Sequence, residues 1–269
     1  MEHKVVLVTG GSSGIGKSIG IYLKSKGFKV YGTTRKVANY PDFTAFDLLE
    51  LDVRNPESIR TAISELIAKE GRGDVLVNNA GIGITGPIEE TPHAEILKAF
   101  DTNFNGPLHM SKAVLPHMRG QKNGLIINIT SIAGYMGLPY RGIYSASKGA
   151  LELVMEALRM EIKGFGINIT NLAPGDFATN IASGRYHAPV LENSPYNSPY
   201  GNTLKLMNEH VDSGQDPMLV AHMVFKIINI KNPKVHYRVG DFMQKFSLFL
   251  KKILPDKVYE KLLMNHYKL

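Results

Sequence analysis

Short apolar runs and longer amphipathic stretches alternate along the chain. Runs rich in Val, Ile and Leu predict seven buried strands, at 4–9, 28–34, 46–53, 74–78, 124–130, 166–172 and 235–239. Apolar residues three and four positions apart predict helices at 17–26, 56–69, 92–119, 144–163 and 217–230, with an interruption near 103–106. Strands that alternate with helices predict one α/β unit, in which a doubly wound, parallel, seven-stranded sheet carries helices on both faces.

Two segments depart from this alternation. Residues 180–215 are crowded with Pro, Gly and Tyr, which is typical of a lid or of a disordered segment. In the tail, four apolar residues recur at helical spacing among lysines: Phe242, Phe246, Phe249 and Ile253. We predict a main domain at 1–240, with 180–215 as its lid, and an amphipathic helical extension at 241–269. That extension either packs its apolar stripe on the domain, which we favour, or lies on an anionic membrane surface.

The composition excludes several classes of site. The chain has no cysteine, so neither a disulfide framework nor a thiolate metal site is available, and its nine histidines lack metal-binding spacing. No apolar run reaches the ~18–20 residues that span a bilayer, and the chain enters its first strand at once. We therefore expect no metal, no membrane span and no signal peptide, and a cytoplasmic location.

The chain carries a formal net charge of +7. Such a charge favours anionic partners, namely nucleic acid, a lipid surface or a phosphorylated cofactor, although solubility is the simpler explanation. The sequence shows neither a helix-turn-helix pattern nor a basic–aromatic motif, so we expect no nucleic-acid partner.

A glycine-rich turn joins the first predicted strand to the first predicted helix. Its residues run from Gly10 to Gly16 in the pattern G-x-x-x-G-x-G. Glycines let the backbone approach a pyrophosphate, and a helix N-terminus offers free N–H groups and a positive dipole end. Strand, glycine turn and helix in this order predict a dinucleotide site and a Rossmann-like sheet.

Tyr144 and Lys148 lie four residues apart in a predicted helix, which places both on one helix face. A free phenol exchanges its proton poorly at neutral pH, whereas an ammonium one turn away favours the phenolate. The pair is a candidate acid–base device for a carbonyl or an alcohol. Alone, this spacing is typical of an ordinary surface pair, and the glycine-rich turn is what favours the catalytic interpretation.

Five motifs together make the chain resemble the short-chain dehydrogenase/reductase family, from about residue 4 to residue 239. They are T-G-x-x-x-G-x-G at 9–16, N-N-A-G at 78–81, a serine at Ser131, Y-x-x-x-K at 144–148 and P-G at 174–175. The tail looks like the tails of members that reduce lipophilic carbonyls of the 17β-hydroxysteroid, retinol or acyl-dihydroxyacetone-phosphate type.

The resemblance implies four catalytic residues. Tyr144 would give a proton to the developing alkoxide, and Lys148 would assist it and bond the nicotinamide ribose. Ser131 would bond the carbonyl oxygen. Asn103 would support a water path to Lys148, and its alternative role is that of a buried asparagine bonded to backbone.

The resemblance also implies the cofactor residues. Besides Tyr144 and Lys148 they are Gly10, Ser12, Ser13, Gly14, Ile15, Gly16, Arg35, Asp52, Val53, Asn79, Ala80, Gly81, Pro174, Gly175, Phe177 and Thr179. Asp52 would touch the adenine with Val53, or would only form a turn before the next helix.

The end of the second predicted strand favours NADPH (or NADP+) over NADH. No acid occurs between Lys29 and Pro41, where an acid would bind the ribose hydroxyls of NAD, and Arg35 can pair with a 2′-phosphate. Against this, Ser13 stands where many NADP-using relatives carry a second basic residue.

The predicted activity is NADPH-dependent carbonyl reduction, reversible as alcohol dehydrogenation, of an apolar ketone or secondary alcohol by a homodimer or homotetramer. The apolar residues 132–140 lack helical periodicity and are predicted to form one wall of the substrate pocket. A 3-oxoacyl-thioester reductase of the fatty-acid type is the alternative enzyme. A cofactor sensor or nucleic-acid-binding protein is the alternative of another class, and the complete Ser131, Tyr144 and Lys148 set disfavours it.

Overall fold

The computed structural model describes residues 4–177, 184–212 and 214–269. Its strands are β1 Val5–Val8, β2 Lys29–Thr34, β3 Asp47–Glu50, β4 Val75–Asn78, β5 Ile84–Thr85, β6 Gly124–Ile129, β7 Ile167–Pro174, β8 Tyr186–His187 and β9 His236–Val239. Seven of them form one parallel sheet in the order β3-β2-β1-β4-β6-β7-β9, and β5 pairs with β8 in a separate two-stranded sheet.

The helices follow the strands in alternation. They are α1 Gly14–Ser25, α2 Pro56–Glu70, α3 His93–Phe100, α4 Gly106–Gln121, α5 Gly142–Glu161, α6 Asn197–Asp212, α7 Met218–Ile228, α8 Phe242–Ile253 and α9 Asp256–Tyr267. A π-helical turn over Asp101–Asn105 joins α3 to α4, where the sequence predicts an interruption.

Strand β1 shows why both faces of the sheet are covered. Val5 and Leu7 belong to one core cluster, with α2, α4 and α5, whereas Val6 and Val8 belong to another, with α1 and α7. Alternate side chains of a strand point to opposite faces, so a strand that is apolar throughout needs helices on both sides. The Rossmann-like, doubly wound parallel sheet of seven strands predicted from the sequence is confirmed, and so is its C-terminal helical extension.

A row of asparagines crosses the middle of the sheet at equivalent positions of β4, β6 and β7. Asn78 Nδ2 donates to Asn128 Oδ1 and Asn128 Nδ2 donates to Asn171 Oδ1, each at 2.9 Å. All three side chains are buried, so these two bonds replace water for the amide groups that make them. Asn78, the first residue of the N-N-A-G motif, therefore links the central strands of the sheet.

The predicted lid, 180–215, contains more regular structure than the sequence indicates. Helix α6 occupies its second half, where Tyr200, Thr203 and Met207 are buried at helical spacing. The prolines that mask this pattern lie at or before the first turn of the helix, where a missing N–H costs no hydrogen bond. The Tyr200 hydroxyl then donates to Ala188 O at 3.0 Å and ties the helix to the segment before it.

In the tail the structure corrects the expected packing. Phe242, Phe246, Phe249 and Ile253 do lie on one side of α8, but all four are exposed. The side chain that packs on the body is Leu248, which is buried in a cluster with Ile132, Met136, Ala173 and Tyr259. Helix α8 has apolar residues on two faces, and its sequence alone does not show which face meets the domain.

Candidate active site

A cleft of about 380 Å³ opens at the carboxyl ends of β1, β4, β6 and β7. Ligands of open α/β sheets bind at this edge, where the strand order reverses. Most of the predicted site residues line it: Gly10, Ser12, Ser13, Gly14, Ile15, Arg35, Asp52, Val53, Asn79, Ala80, Gly81, Ser131, Tyr144, Lys148, Pro174, Gly175 and Phe177. The topology thus brings together residues that lie far apart in the sequence.

Two predicted residues among those that the structure describes do not line the cleft. Gly16 lies beneath the glycine loop and Asn103 lies behind Gly81. Thr179 falls outside the described residues.

The glycine loop has the shape that a dinucleotide needs. Gly14 has a φ of +51° at the start of α1, in the left-handed region that favours glycine. A Cβ on Gly16 would come within 2.4 Å of Gly10 O and 2.5 Å of Asn79 Nδ2, so a side chain there would push the loop apart. The Ser13 side chain does not cap α1, which leaves the N–H groups of the first turn for a pyrophosphate. These residues fit a nicotinamide dinucleotide.

Basic residues surround the other end of the cleft. Arg35 is exposed there and Lys36 lies beside it. Asp52 Oδ2 lies 2.7 Å from Arg54 Nη2, and its Oδ1 accepts from Arg54 N at 2.9 Å. The Arg54 side chain holds the pKa of the Asp52 carboxyl below its usual range, against the opposing effect of burial. Asp52 therefore both lines the cleft and forms the turn that its sequence position suggested.

Lys148 is buried below the cleft, where its Nζ donates to Ile129 O at 2.9 Å. Burial lowers the pKa of this ammonium, and the nearby Tyr144 and Glu152 act in the opposite direction. The side chain projects from α5, one turn after Tyr144, as the four-residue spacing predicts.

Asn103 lies in the π-helical turn and bonds to one backbone segment twice. Its Nδ2 donates to Ile82 O and its Oδ1 accepts from Ile82 N, both at 2.9 Å. A Cβ on Gly81 would lie 3.2 Å from Asn103 Oδ1 and 3.4 Å from Lys148 Nζ. Asn103 therefore has the structural role of a buried asparagine bonded to backbone. Its side chain and that of Lys148 also approach the same point, beside the Cα of Gly81.

Ser131 and Tyr144 approach the cleft from two elements. Ser131 follows β6, and its Oγ accepts from Ala133 N at 3.1 Å, which leaves the hydroxyl proton for another acceptor. Tyr144 is half-buried, and the guanidinium of Arg141 lies over its ring, 5.4 Å from the centroid.

Sequence reasoning missed two arginines beside the tyrosine. Arg141 and Arg185 both line the cleft near Tyr144. Burial, and after it the charge of Arg141, lowers the pKa of Arg185. Neither arginine belongs to a motif. Arg185 directly precedes β8, far from Tyr144 in the sequence, so only the folded chain shows that the two residues are close.

A second missed group lies behind Lys148. Glu152 is buried and accepts from the Thr130 hydroxyl and from Asn171 Nδ2. The two ring nitrogens of His236 contact Glu152 at 2.8 Å and Glu156 at 3.2 Å. These three side chains lie close enough to hold a metal ion, a grouping that histidine spacing in the sequence could not show. The Tyr135 hydroxyl also lies 3.2 Å from His236 Nδ1.

A second cavity, of about 470 Å³, adjoins the cleft. The two share Ser131, Arg141, Gly175 and Asp176. One wall comes from the predicted segment 132–140, of which Ile132, Ala133, Met136 and Leu138 line the cavity and Tyr140 does not, and the other comes from the tail. The tail contributes Asp241, Met243, Gln244, Ser247, Leu250, Tyr259, Leu262, Leu263, His266 and Tyr267. Helices α8 and α9 therefore enclose an apolar space next to Ser131.

Comparisons with known proteins agree with this geometry. A family model described as short chain dehydrogenase matches residues 4–189. A 3-ketodihydrosphingosine reductase from Bacteroides thetaiotaomicron is 38% identical over 268 residues, which cover 99% of each chain. The 17-beta-hydroxysteroid dehydrogenase type 1 of Mus musculus is 32% identical over 255 residues, 88% of this chain and 74% of that protein.

Solved structures show the same fold, and two of those named below hold a nicotinamide cofactor. A short-chain dehydrogenase from Streptomyces avermitilis superposes with a TM-score of 0.82 at 32% identity, covering 99% of this chain and 97% of its own. A Burkholderia phymatum family member in complex with NAD has a TM-score of 0.77 at 26% identity, covering 87% and 89%. ElxO with NADP bound has a TM-score of 0.69 at 28% identity, covering 88% and 96%. This chain therefore belongs to the short-chain dehydrogenase family and is an oxidoreductase that acts on CH–OH donors with a nicotinamide cofactor.

Proposed function

We propose that the protein is an NADPH-dependent reductase of a ketone carried on a long apolar chain, reversible as an alcohol dehydrogenase. The observation that carries this proposal is the apolar cavity between segment 132–140 and the tail, which opens onto Ser131. Its volume lies within the range of small-molecule sites. The relative named 3-ketodihydrosphingosine reductase, which matches over almost its whole length, supports a long-chain substrate.

The bound nicotinamide supplies the hydride, and the residues of the chain supply position and proton. The Ser131 hydroxyl donates to the substrate oxygen and fixes its direction. Tyr144 gives its proton to the same oxygen as negative charge develops there. Lys148, held by Ile129 O, favours the phenolate that remains and would hold the nicotinamide ribose when the cofactor is bound. Asn103 supports the path by which the proton is replaced.

Other parts of the proposal concern location and assembly. None of the described helices is long and apolar enough to cross a membrane. We place the protein in the cytoplasm, peripheral to a membrane that it contacts through residues 241–269. Exposed Leu153 and Met160 on α5 favour a homodimer or homotetramer through the long helices α4 and α5.

The test is NADPH consumption by the purified protein with three substrates: 3-ketodihydrosphingosine, a ketosteroid and a 3-oxoacyl thioester. We expect the highest kcat/KM for the long-chain ketone. A preference for the thioester would favour the fatty-acid-type reductase, and consumption with none of the three would remove the proposal.

Filling the apolar cavity gives a second prediction. Ser247→Phe should raise KM for the long-chain ketone about tenfold or more, because displacing even two buried methylenes costs ~1.6 kcal/mol. KM for a short ketone should stay unchanged. Ser247→Ala is the matched control, since it removes only the hydroxyl that donates to Gln244 O. Equal effects on long and short ketones would show that the chain lies elsewhere. Deleting the tail would be a poorer test, because it uncovers the cluster around Leu248.

A further inference from the structure

Helix α8 carries an aromatic ridge, formed by Phe242, Phe246, Phe249 and Ile253. These residues are 72%, 36%, 54% and 57% exposed, although all four are large and apolar. The rings of Phe242 and Phe246 stack with centroids 5.7 Å apart, and those of Phe246 and Phe249 stack at 6.0 Å. At 100° per residue the four positions fall within about 60° of the helix circumference, so they form one continuous surface.

The aromatic ridge cannot turn toward the core of the domain. The other side of α8 is fixed by Leu248, which is 3% exposed, and by Gln244, whose Nε2 donates to Asp176 Oδ2 at 2.9 Å. Turning the ridge inward would bring these groups out of the core. The apolar surface of the ridge is therefore available to something outside the chain.

The charge of the tail indicates what the aromatic ridge contacts. Residues 241–269 hold six lysines against Asp241, Asp256 and Glu260, which leaves an excess of three positive side-chain charges. Lys245 and Lys252 are exposed and lie within about 60° of the ridge on the circumference of α8. An apolar ridge with lysines along one side matches an anionic lipid surface, which offers hydrocarbon below a layer of negative head groups.

The apolar cavity opens next to the same surface. Met243 and Leu262 line the cavity and are also 67% and 46% exposed, so they form part of its rim. Met243 follows Phe242 directly on α8. A surface that meets the ridge would therefore lie against the mouth of the cavity.

We propose that the aromatic ridge docks the protein on an anionic membrane surface, so that a lipid substrate enters the apolar cavity directly from the bilayer. A second copy of the chain fits the ridge less well, because an antiparallel two-fold contact would bring the lysines of both copies to the same side. The docking rests on the geometry of α8, whereas the entry of substrate rests on the proposed function.

The test measures vesicle binding of the full chain without substrate. Co-sedimentation is expected with phosphatidylcholine vesicles that contain phosphatidylglycerol, and it should weaken as salt rises. Phe242→Gln with Phe249→Gln should lower binding at least tenfold, because two exposed rings no longer enter the bilayer. Lys245→Gln with Lys252→Gln should lower binding about fivefold for each lysine, with phosphatidylglycerol vesicles only.

The matched control is Ile21→Gln with Leu219→Gln, which changes two exposed apolar residues outside the tail and should leave binding unchanged. Failure of the unmodified protein to sediment with phosphatidylglycerol vesicles would overturn the proposal, and so would full binding by the ridge variant. A ridge variant that loses oligomers in sedimentation velocity but keeps vesicle binding would assign the ridge to a contact between copies. Turnover of a short soluble ketone should not change in the ridge variant. Vesicle binding therefore tests the membrane docking, and turnover tests the proposed function independently.

Discussion

Replacing Tyr144 by Phe is expected to lower turnover by at least ~10²-fold, the low end of what a lost general acid costs. The change removes only a hydroxyl and keeps the ring under the Arg141 guanidinium, 5.4 Å from the centroid. Folding and cofactor binding should therefore survive. Thermal unfolding and cofactor titration of the variant check this, and the initial rate with the best ketone measures the loss.

Tyr140→Phe is the matched control for this prediction. It makes the same chemical change four residues earlier, at a tyrosine that does not line the cleft and whose phenol pKa is raised by burial. Its turnover should stay close to that of the unmodified protein. Near-normal activity of Tyr144→Phe would show that another group supplies the proton.

Replacing Lys148 tests its two proposed roles, in proton transfer and in cofactor binding. Lys148→Met keeps most of the buried volume but removes the ammonium that bonds Ile129 O. We expect this variant to lose both turnover and cofactor affinity, because we assign the ammonium two contacts. Loss of turnover with unchanged cofactor affinity would remove the ribose contact from the proposal.

Arg35→Ala is expected to erase most of a ~10–100-fold preference for NADPH over NADH. That factor corresponds to the ~1.4–3 kcal/mol of a charge-assisted contact with the 2′-phosphate. In the structure Arg35 is exposed at the cleft, whereas the neighbouring Arg54 is already paired with Asp52 at 2.7 Å. Turnover with NADH should not change, because NADH lacks that phosphate.

The control for this prediction is Arg60→Ala. It removes the same charge from an exposed position on α2, where Arg60 pairs with Glu57. The ratio of kcat/KM for the two cofactors is the measurement for both variants. Equal use of NADPH and NADH by the unmodified protein would contradict the hypothesis, and a preference that survives Arg35→Ala would assign it to another basic residue at the cleft, such as Lys36 or Arg54.

The sequence by itself determined the framework of the fold, because local patterns encode it. Strand β1 is apolar at every position, so it needs cover on both faces, and the interruption near 103–106 anticipates the π-helical turn at Asp101–Asn105. The glycine loop, Ser131, Tyr144 and Lys148 were predicted because their motifs are short and contiguous or keep a fixed spacing. In a parallel sheet the carboxyl ends of the strands lie at the same edge, so the sequence motifs at those ends are expected to lie together.

The tertiary structure decided what depends on contacts between distant segments. Arg185 reaches Tyr144 through β8, and Glu152 meets His236 only because β9 pairs with β7. Helix α8 has two apolar faces. The spacing of apolar residues predicts these faces but does not predict which of them contacts the domain. Burial of Leu248 against Ile132 and Ala173 settles the choice: it leaves the aromatic ridge outside and makes the tail a wall of the cavity beside Ser131.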